Sequence, residues 1–276
     1  MITSSELGRL LSKGICMQLD LEGKRVLITG ASKGIGLATA WAFAREGCEL
    51  YLAARSLDQL ENNREDILRQ HKTRITVCAA DMGLSADIKK LAEQFCEADI
   101  LVNNAGDIPA GDLDHVDEDA WRKGWDVKVY GYINLTRHLY RRMVDRKKGV
   151  IINDIGNSGE NWDANYIAGA SGNASLMAFT RGLGGVSLDH GVRVVGVNPG
   201  PVATDRMVKL MKRRAVEWYG DESRWEELYD KYPGKRPAMP EEVADLIAFL
   251  ASPRAGYITG TIVTIDGGIA SRRSII

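Results

Sequence analysis

The sequence predicts an α/β fold: a single domain on a doubly wound parallel sheet of about seven strands, with a helical insertion before the last strand. Three observations predict it. Apolar runs of strand length recur along the chain, and segments of helical periodicity separate them. The runs are also continuously apolar rather than alternating, as strands covered on both faces require. At 276 residues the chain sits where single cores stop growing, and no Pro/Ser-rich linker, repeat or low-complexity stretch divides it.

Residues 1–20 read as an N-terminal extension, either a short helix around Leu7 to Leu11 or a leader ahead of initiation at Met17. The domain proper is expected over 21–276. Its strands are expected at Arg25–Thr29, Glu49–Ala53, Ile75–Ala79, Ile100–Val102, Val150–Ile152, Val192–Val197 and Thr261–Ile265. Residues 205–237 break the alternation. Met207, Leu210, Met211, Ala215, Trp218 and Tyr219 recur at helical spacing, and so do Trp225, Leu228, Tyr229 and Tyr232 after Gly220. This predicts a helical pair placed as a lid over the ligand crevice. Its basic run Lys209, Lys212, Arg213 and Arg214 reads either as a solvated helix face or as a contact for an anionic substrate or cofactor phosphate.

Composition narrows the function classes. With 45% hydrophobic and 26% charged residues the chain has the balance of a globular protein, and a net charge of −1 leaves no basic excess for nucleic acid. No apolar run reaches the roughly 18 residues of a membrane span, and residues 1–20 lack the apolar core of a secretion signal. Cys16, Cys48, Cys78 and Cys96 form neither a Cys-x-x-Cys pair nor a Cys/His metal cluster. They read as buried reduced thiols of a cytoplasmic protein without a metal centre. His71, His115, His138 and His190 fit no triad pattern. Trp41, Trp121 and Trp125 fit helix-packing faces, while Asn161, Trp162 and Trp218 are open to a pocket role.

The first expected strand runs directly into Thr29-Gly30-Ala31-Ser32-Lys33-Gly34-Ile35-Gly36, and a helical pattern follows. Glycines there permit a tight turn and let backbone N–H groups approach a pyrophosphate at the helix N-terminus.

With Asp81 after the third strand, Asn103-Asn104-Ala105-Gly106 after the fourth, Asn198-Pro199-Gly200-Pro201 after the sixth and Asp266-Gly267-Gly268 near the end, the sequence from about Leu21 to Gly268 resembles the short-chain dehydrogenase/reductase family. That resemblance implies a Rossmann fold, a nicotinamide cofactor, a small-molecule substrate and a homotetramer. It assigns Gly30, Ser32, Gly34, Ile35 and Gly36 to the cofactor phosphates and Asp81 and Met82 to the adenine. It places Asn104 and Ala105, with the adjoining Gly106, along the ribose, and Pro199, Gly200, Val202 and Thr204 near the nicotinamide. Where an acidic residue would bind the adenosine 2′-hydroxyl the chain reads Ala53-Ala54-Arg55-Ser56. Arg55 with Lys33 can instead neutralise a 2′-phosphate, so NADP(H) is favoured, and the nearby Asp58 keeps NAD(H) as an alternative.

The family's catalytic Asn, Ser, Tyr and Lys do not match. Counting back from Thr180-Arg181 puts Asn173 at the Lys position and Gly169 at the Tyr position, and the same alignment puts Gly156 where the Ser belongs and Lys128 in place of the Asn. Three explanations stay open. In the first, hydride transfer survives with relocated groups. Tyr166, one turn before Gly169, enters the vacated space; Lys128 supplies the positive charge that lowers the phenol pKa; and Asn173 holds ribose hydroxyls. In the second, the site runs non-redox lyase, hydratase or isomerase chemistry on Asp154, a carboxylate where an apolar strand residue is expected, with Glu160 and Asp163 nearby. In the third, the protein binds NADP(H) without catalysis, as a sensor or partner subunit. Gly169, Gly172, Gly182, Gly184 and Gly185 then mark either close packing on another backbone, as at the family's subunit interface, or a short or kinked helix.

Overall fold

The computed structural model describes residues 18–272, so Cys16 and the leader expected before Met17 lie outside the described residues. Seven strands form one parallel sheet: β1 (Arg25–Thr29), β2 (Glu49–Ala54), β3 (Ile75–Ala79), β4 (Ile100–Asn103), β5 (Gly149–Asp154), β6 (Val192–Pro199) and β7 (Ile262–Ile265). Their spatial order is β3-β2-β1-β4-β5-β6-β7. The chain winds outward from β1 to β3, then crosses back to lay β4 against the other side of β1, pairing Val26 with Ile100 and Ile28 with Val102. The reversal between β1 and β4 opens a crevice at the carboxyl ends of the strands, and the site lies there.

Eight α-helices cover the sheet among the described residues. On one face α1 (Gly34–Arg45), α2 (Leu57–Gln70) and α8 (Pro240–Ala251) bury Phe43, Leu60, Ile67, Val243 and Ile247 against Ile28, Leu50 and Val195. On the other, α3 (Ser85–Gln94) and α5 (Gly131–Asp145) bury Ile88, Leu91, Leu135 and Met143 against Leu27, Leu101 and Ile151. All eight residues of β6 are buried, which is why its run carries no polar alternation. Cys48 and Cys78 are buried and unpaired, and Cys96 is half-buried. No described helix is long and apolar enough to cross a membrane.

Three features bear on the site. Between α4 (Glu118–Trp125) and α5, residues Asp126–Tyr130 form a single π turn, a distortion that presents Lys128 toward the crevice. The 21-residue α6 (Ile167–Ser187) is neither short nor interrupted, and its glycines divide by side. A Cβ on Gly184 would lie 2.7 Å from the Val194 carbonyl oxygen and strike the Gly260 backbone, whereas Gly182 and Gly185 face open space. In the insertion, α7 (Asp205–Tyr219) is helical as expected, but its partner Glu222–Lys231 is a ten-residue 3₁₀ segment. The two bury Met211, Ala215 and Leu228 with Trp225 and Tyr229 in a small core of their own.

Candidate active site

A cavity of about 1460 Å³ runs from the glycine loop to α7. Its phosphate end is made of backbone. Gly30 holds φ +68°, and a Cβ there would lie 2.7 Å from Asn104 Nδ2 and 2.8 Å from Ala105 Cα. Gly34 holds φ +58° and opens α1, whose N-cap residue Lys33 places no side chain on the first-turn N–H groups. Those donors remain available to an anion. Neighbours lock the loop: Asn63 Nδ2 donates to the Ser32 carbonyl at 2.9 Å, and Thr29 Oγ1 accepts from the backbone N–H groups of Asn104 (3.0 Å) and Ala105 (3.2 Å).

One expectation needs correction here. Asn104 borders the cavity, and its amide donates to the Thr29 carbonyl at 2.8 Å and the Gly30 carbonyl at 3.2 Å, which braces the loop. Gly36 does not line the cavity; it packs behind the loop, where a Cβ would strike the Gly30 carbonyl oxygen. The other residues expected at the nucleotide do line it: Ser32, Lys33, Ile35, Arg55, Asp81, Met82, Ala105, Gly106, Asn173, Pro199, Gly200, Val202 and Thr204. Arg55, two-thirds exposed at the rim, reaches Asp107 Oδ2 at 3.3 Å.

The reacting end is made of side chains. Tyr166, Lys128, Asp154 and Asn173 all line the cavity. The Tyr166 ring lies directly over Gly169, so that a Cβ at 169 would overlap the phenol carbons. Burial raises the Tyr166 pKa, opposed by the Arg206 guanidinium beside it. This overturns the expectation that Lys128 lowers that pKa. Lys128 Nζ instead donates to the Ile155 carbonyl at 2.6 Å, and desolvation pushes it down to about 8 against the attraction of Asp154. Asp154, at the end of β5, is 6% exposed; burial pushes its carboxyl up to about 6, opposed by Lys128. Tyr132 closes the wall behind them and donates to the Asp154 backbone carbonyl at 2.9 Å.

Asn173 Nδ2 donates to Ser158 Oγ at 2.7 Å and to the Gly156 carbonyl at 3.3 Å, while its Oδ1 is buried with no partner. Beneath it, Asn103 Nδ2 donates to Asn153 Oδ1 (2.9 Å) and Thr136 Oγ1 (3.0 Å), and Asn153 Nδ2 donates to Thr180 Oγ1 (2.9 Å). That chain of buried bonds ties β4, β5, α5 and α6 together under the site.

Arg206 and Ser158 escaped the sequence reading. Arg206 Nη2 donates to the Ile108 carbonyl at 2.6 Å, spanning from the start of α7 to the segment after β4. It shares a helix side with Lys209 and Arg213, which was the available signal. Trp162 and Trp218 lie outside the cavity, 72% and 55% exposed, and Glu160 pairs with Arg181 at 3.1 Å, whereas Asn161 and Asp163 line the wall. No group of three or more His, Cys, Asp or Glu side chains among the described residues could hold a metal.

A family model described as enoyl-(acyl carrier protein) reductase matches residues 30–270. The chain is 32% identical over 254 residues to the 3-oxoacyl-(acyl-carrier-protein) reductase FabG of Vibrio cholerae, covering 91% of this chain and 99% of that protein. It is 32% identical over 257 residues to the NADPH-dependent reductase BacG of Bacillus subtilis, covering 89% and 97%. The crystal structure of L-sorbose reductase from Gluconobacter frateurii complexed with NADPH and L-sorbose superposes with a TM-score of 0.87 at 30% identity, over 94% of this chain and 100% of that one. Sequence match, strand order and crevice agree: the chain belongs to the short-chain dehydrogenase/reductase family of oxidoreductases.

Proposed function

We propose that the protein is an NADP(H)-dependent oxidoreductase that reduces a carbonyl compound with a relocated proton donor, Tyr166. The observation that carries this is the Tyr166 ring seated over Gly169, the position that the register from Thr180-Arg181 gives to the family's Tyr. A neighbour one turn away has replaced a missing side chain.

The cavity fits the dinucleotide. A Cβ would fill the phosphate cradle at Gly30, the N-terminus of α1 is uncapped by any side chain, and the orphaned Asn173 Oδ1 is an acceptor for a ribose hydroxyl. In this reading Gly30, Ser32, Gly34 and Ile35 hold the pyrophosphate, with Gly36 supporting them from behind. Lys33 and Arg55 take the 2′-phosphate, and Asp81, Met82, Ala105 and Gly106 line the adenosine half. Pro199, Gly200, Val202 and Thr204 flank the nicotinamide. NADPH-bound and NADPH-dependent relatives support this cofactor.

When bound, the reduced cofactor supplies a hydride to the carbonyl carbon. Tyr166 donates its proton to the carbonyl oxygen, which gives an alcohol and leaves a phenolate to be reprotonated from solvent. A phenol whose pKa burial has raised stays protonated near neutrality, which suits donation, and Arg206 steadies the phenolate left behind. Lys128 holds a positive charge on the back wall, where Tyr132 and Ile155 exclude water. Assembly as a cytoplasmic homotetramer is part of the proposal. The open side of α6 at Gly182, Gly185 and the half-exposed Val186 is the surface for it.

Fluorescence titration of NADPH and NADH, followed by NADPH consumption with a panel of carbonyl compounds, tests the reading. Tight NADPH binding with turnover that Tyr166→Phe removes supports it; binding without turnover on any carbonyl defeats the redox step. One observation favours a second reading. Asp154 borders the cavity, has its pKa raised and makes no side-chain hydrogen bond among the described residues, as a non-redox lyase or isomerase acid would. Turnover of a hydroxy compound without any change in NADPH would select it.

A further inference from the structure

Four cations of α7 share one side of the helix, three of them exposed and Arg214 half-buried. Arg206, Lys209, Arg213 and Arg214 stand at i, i+3, i+7 and i+8 and all border the cavity. Some surface arginines elsewhere meet carboxylates, Arg45 and Asp245 at 2.7 Å, Arg224 and Glu227 at 2.7 Å, Arg236 and Glu242 at 2.7 Å, and others, such as Arg137 and Arg141, make no ion pair among the described residues. On α7, Lys212, which does not border the cavity, pairs with Glu222 at 2.9 Å.

Among the described residues, Arg213 alone of those on the cavity side does. Arg206 spends a donor on the neutral Ile108 carbonyl, and Arg213 reaches Glu217 at 3.4 Å along its own helix. Lys209 and Arg214 make no ion pair among the described residues. The carboxylates on the walls are distant or committed: Asp107 meets Arg55, and Asp154 lies behind Lys128. Asp163, Asp205 and Glu241 also border the cavity, and none comes within ion-pair distance of Lys209 or Arg214. The cavity wall also carries Ile108, which packs with Tyr166, and Met207, Leu210 and Tyr232 from the insertion.

We propose that the substrate is a carbonyl compound bearing an anionic group, a carboxylate or a phosphate, held by Lys209, Arg213 and Arg214 while its carbonyl meets Tyr166 beside Arg206. The proposal rests on the reading of Tyr166 as the proton donor. Helix geometry sets its length: with about 1.5 Å of rise per residue, Lys209 stands roughly 5 Å and Arg214 roughly 12 Å along the axis from Arg206. The anion therefore belongs at the far end of a substrate with an apolar middle. A short keto acid such as pyruvate meets Arg206 alone and gains nothing from the other three. A cationic wall beside apolar side chains strengthens charge-assisted hydrogen bonds to such a group.

The test compares kcat/KM for benzoylbutyrate with its methyl ester, and for 4-oxo-4-phenylbutyl phosphate with 4-oxo-4-phenylbutanol, using the full chain and NADPH; the two pairs separate carboxylate from phosphate. The expected result is a preference of about tenfold or more for the anionic member of one pair, falling toward unity in the Lys209→Met, Arg214→Met double variant. Pyruvate is expected to be poor. Equal rates within both pairs overturn the proposal. So does a double variant whose entire loss appears as weaker NADPH binding, which assigns the cations to the cofactor. If no ketone is reduced, calorimetric binding of benzoylbutyrate and its ester, with and without NADPH, still decides it. Binding of the acid alone, lost in the double variant, supports the anion site although Tyr166 is then no donor, and equal binding of acid and ester refutes it.

Discussion

The two ends of the cavity are built from different materials. At the phosphate end the working groups are backbone N–H donors and the glycines that expose them. A Cβ on Gly30 or Gly36 would collide with Asn104, Ala105 or the loop itself, and no neighbouring residue can substitute for a missing side chain. At the reacting end the working groups are side chains, and side chains can be supplied from elsewhere. Tyr166 leans over Gly169, Ser158 stands two residues past Gly156, and Arg206 arrives from the insertion. A backbone site is kept or lost, whereas a side-chain site can be rebuilt from an adjacent turn.

The largest effect is expected where no substitute exists. Gly30→Val places a β-branched residue at φ +68° with contacts of 2.7 and 2.8 Å to Asn104 and Ala105. NADPH affinity measured by fluorescence should fall about a hundredfold or more, and thermal unfolding should show a loss of about 2–4 kcal/mol. Near-normal binding would mean that the cradle yields, and the contrast between the two ends would dissolve.

At the reacting end the effect should fall on rate and spare the fold. Tyr166→Phe removes one hydroxyl and keeps the ring on Gly169, so kcat should drop by about a hundred- to ten-thousandfold with little change in melting temperature. Gly169→Ala asks the converse question, because its methyl displaces the ring while leaving the phenol intact. A similar fall in kcat would show that placement matters. An unaffected Tyr166→Phe enzyme would move the donor role elsewhere, with Ser158 the next group to replace.

The same difference explains what the sequence disclosed. Strand cores such as Arg25–Thr29 and Ile75–Ala79 were readable to the residue because parallel burial demands unbroken apolar runs. The glycine loop was readable because its constraint is local. The π turn that aims Lys128 has no local signature, since Asp126-Val-Lys-Val-Tyr130 is compatible with ordinary helix. The Tyr166 pKa was misjudged because its direction depends on what buries the ring and on a guanidinium forty residues away. Arg206 could be seen only as one more charge until α7 brought it to the Ile108 carbonyl.

A smaller effect belongs to the rim. Arg55 is 64% exposed and shared with Asp107, so it acts under solvent screening. Arg55→Ala should weaken NADPH about tenfold and leave NADH nearly unchanged, as read from the two dissociation constants. Equal losses for both nucleotides would place Arg55 on the shared adenosine half instead of the 2′-phosphate.

The smallest and most informative shift concerns Asp154. Its carboxyl is pushed by burial from an ordinary 3.8 up to about 6, so ionisation is harder in the folded chain than in the unfolded one. Below the ordinary value both states hold the proton and nothing is lost. As pH rises from there to about 6 the unfolded chain gives up its proton first, so folding loses stability across that window and the cost stays constant above it. Lys128, held down to about 8, loses part of its support when the carboxylate is removed, which returns some of that gain. Asp154→Asn should therefore raise the melting temperature by a few degrees, about 1–2 kcal/mol, near pH 8, with the difference vanishing below about pH 3. On a Lys128→Met background the gain should be larger. If Asp154→Asn instead lowers stability near pH 8, the attraction of Lys128 outweighs the burial cost, and the back wall is a stabilising ion pair. That result would show the Tyr166 end of the cavity to be as firmly built as the cradle.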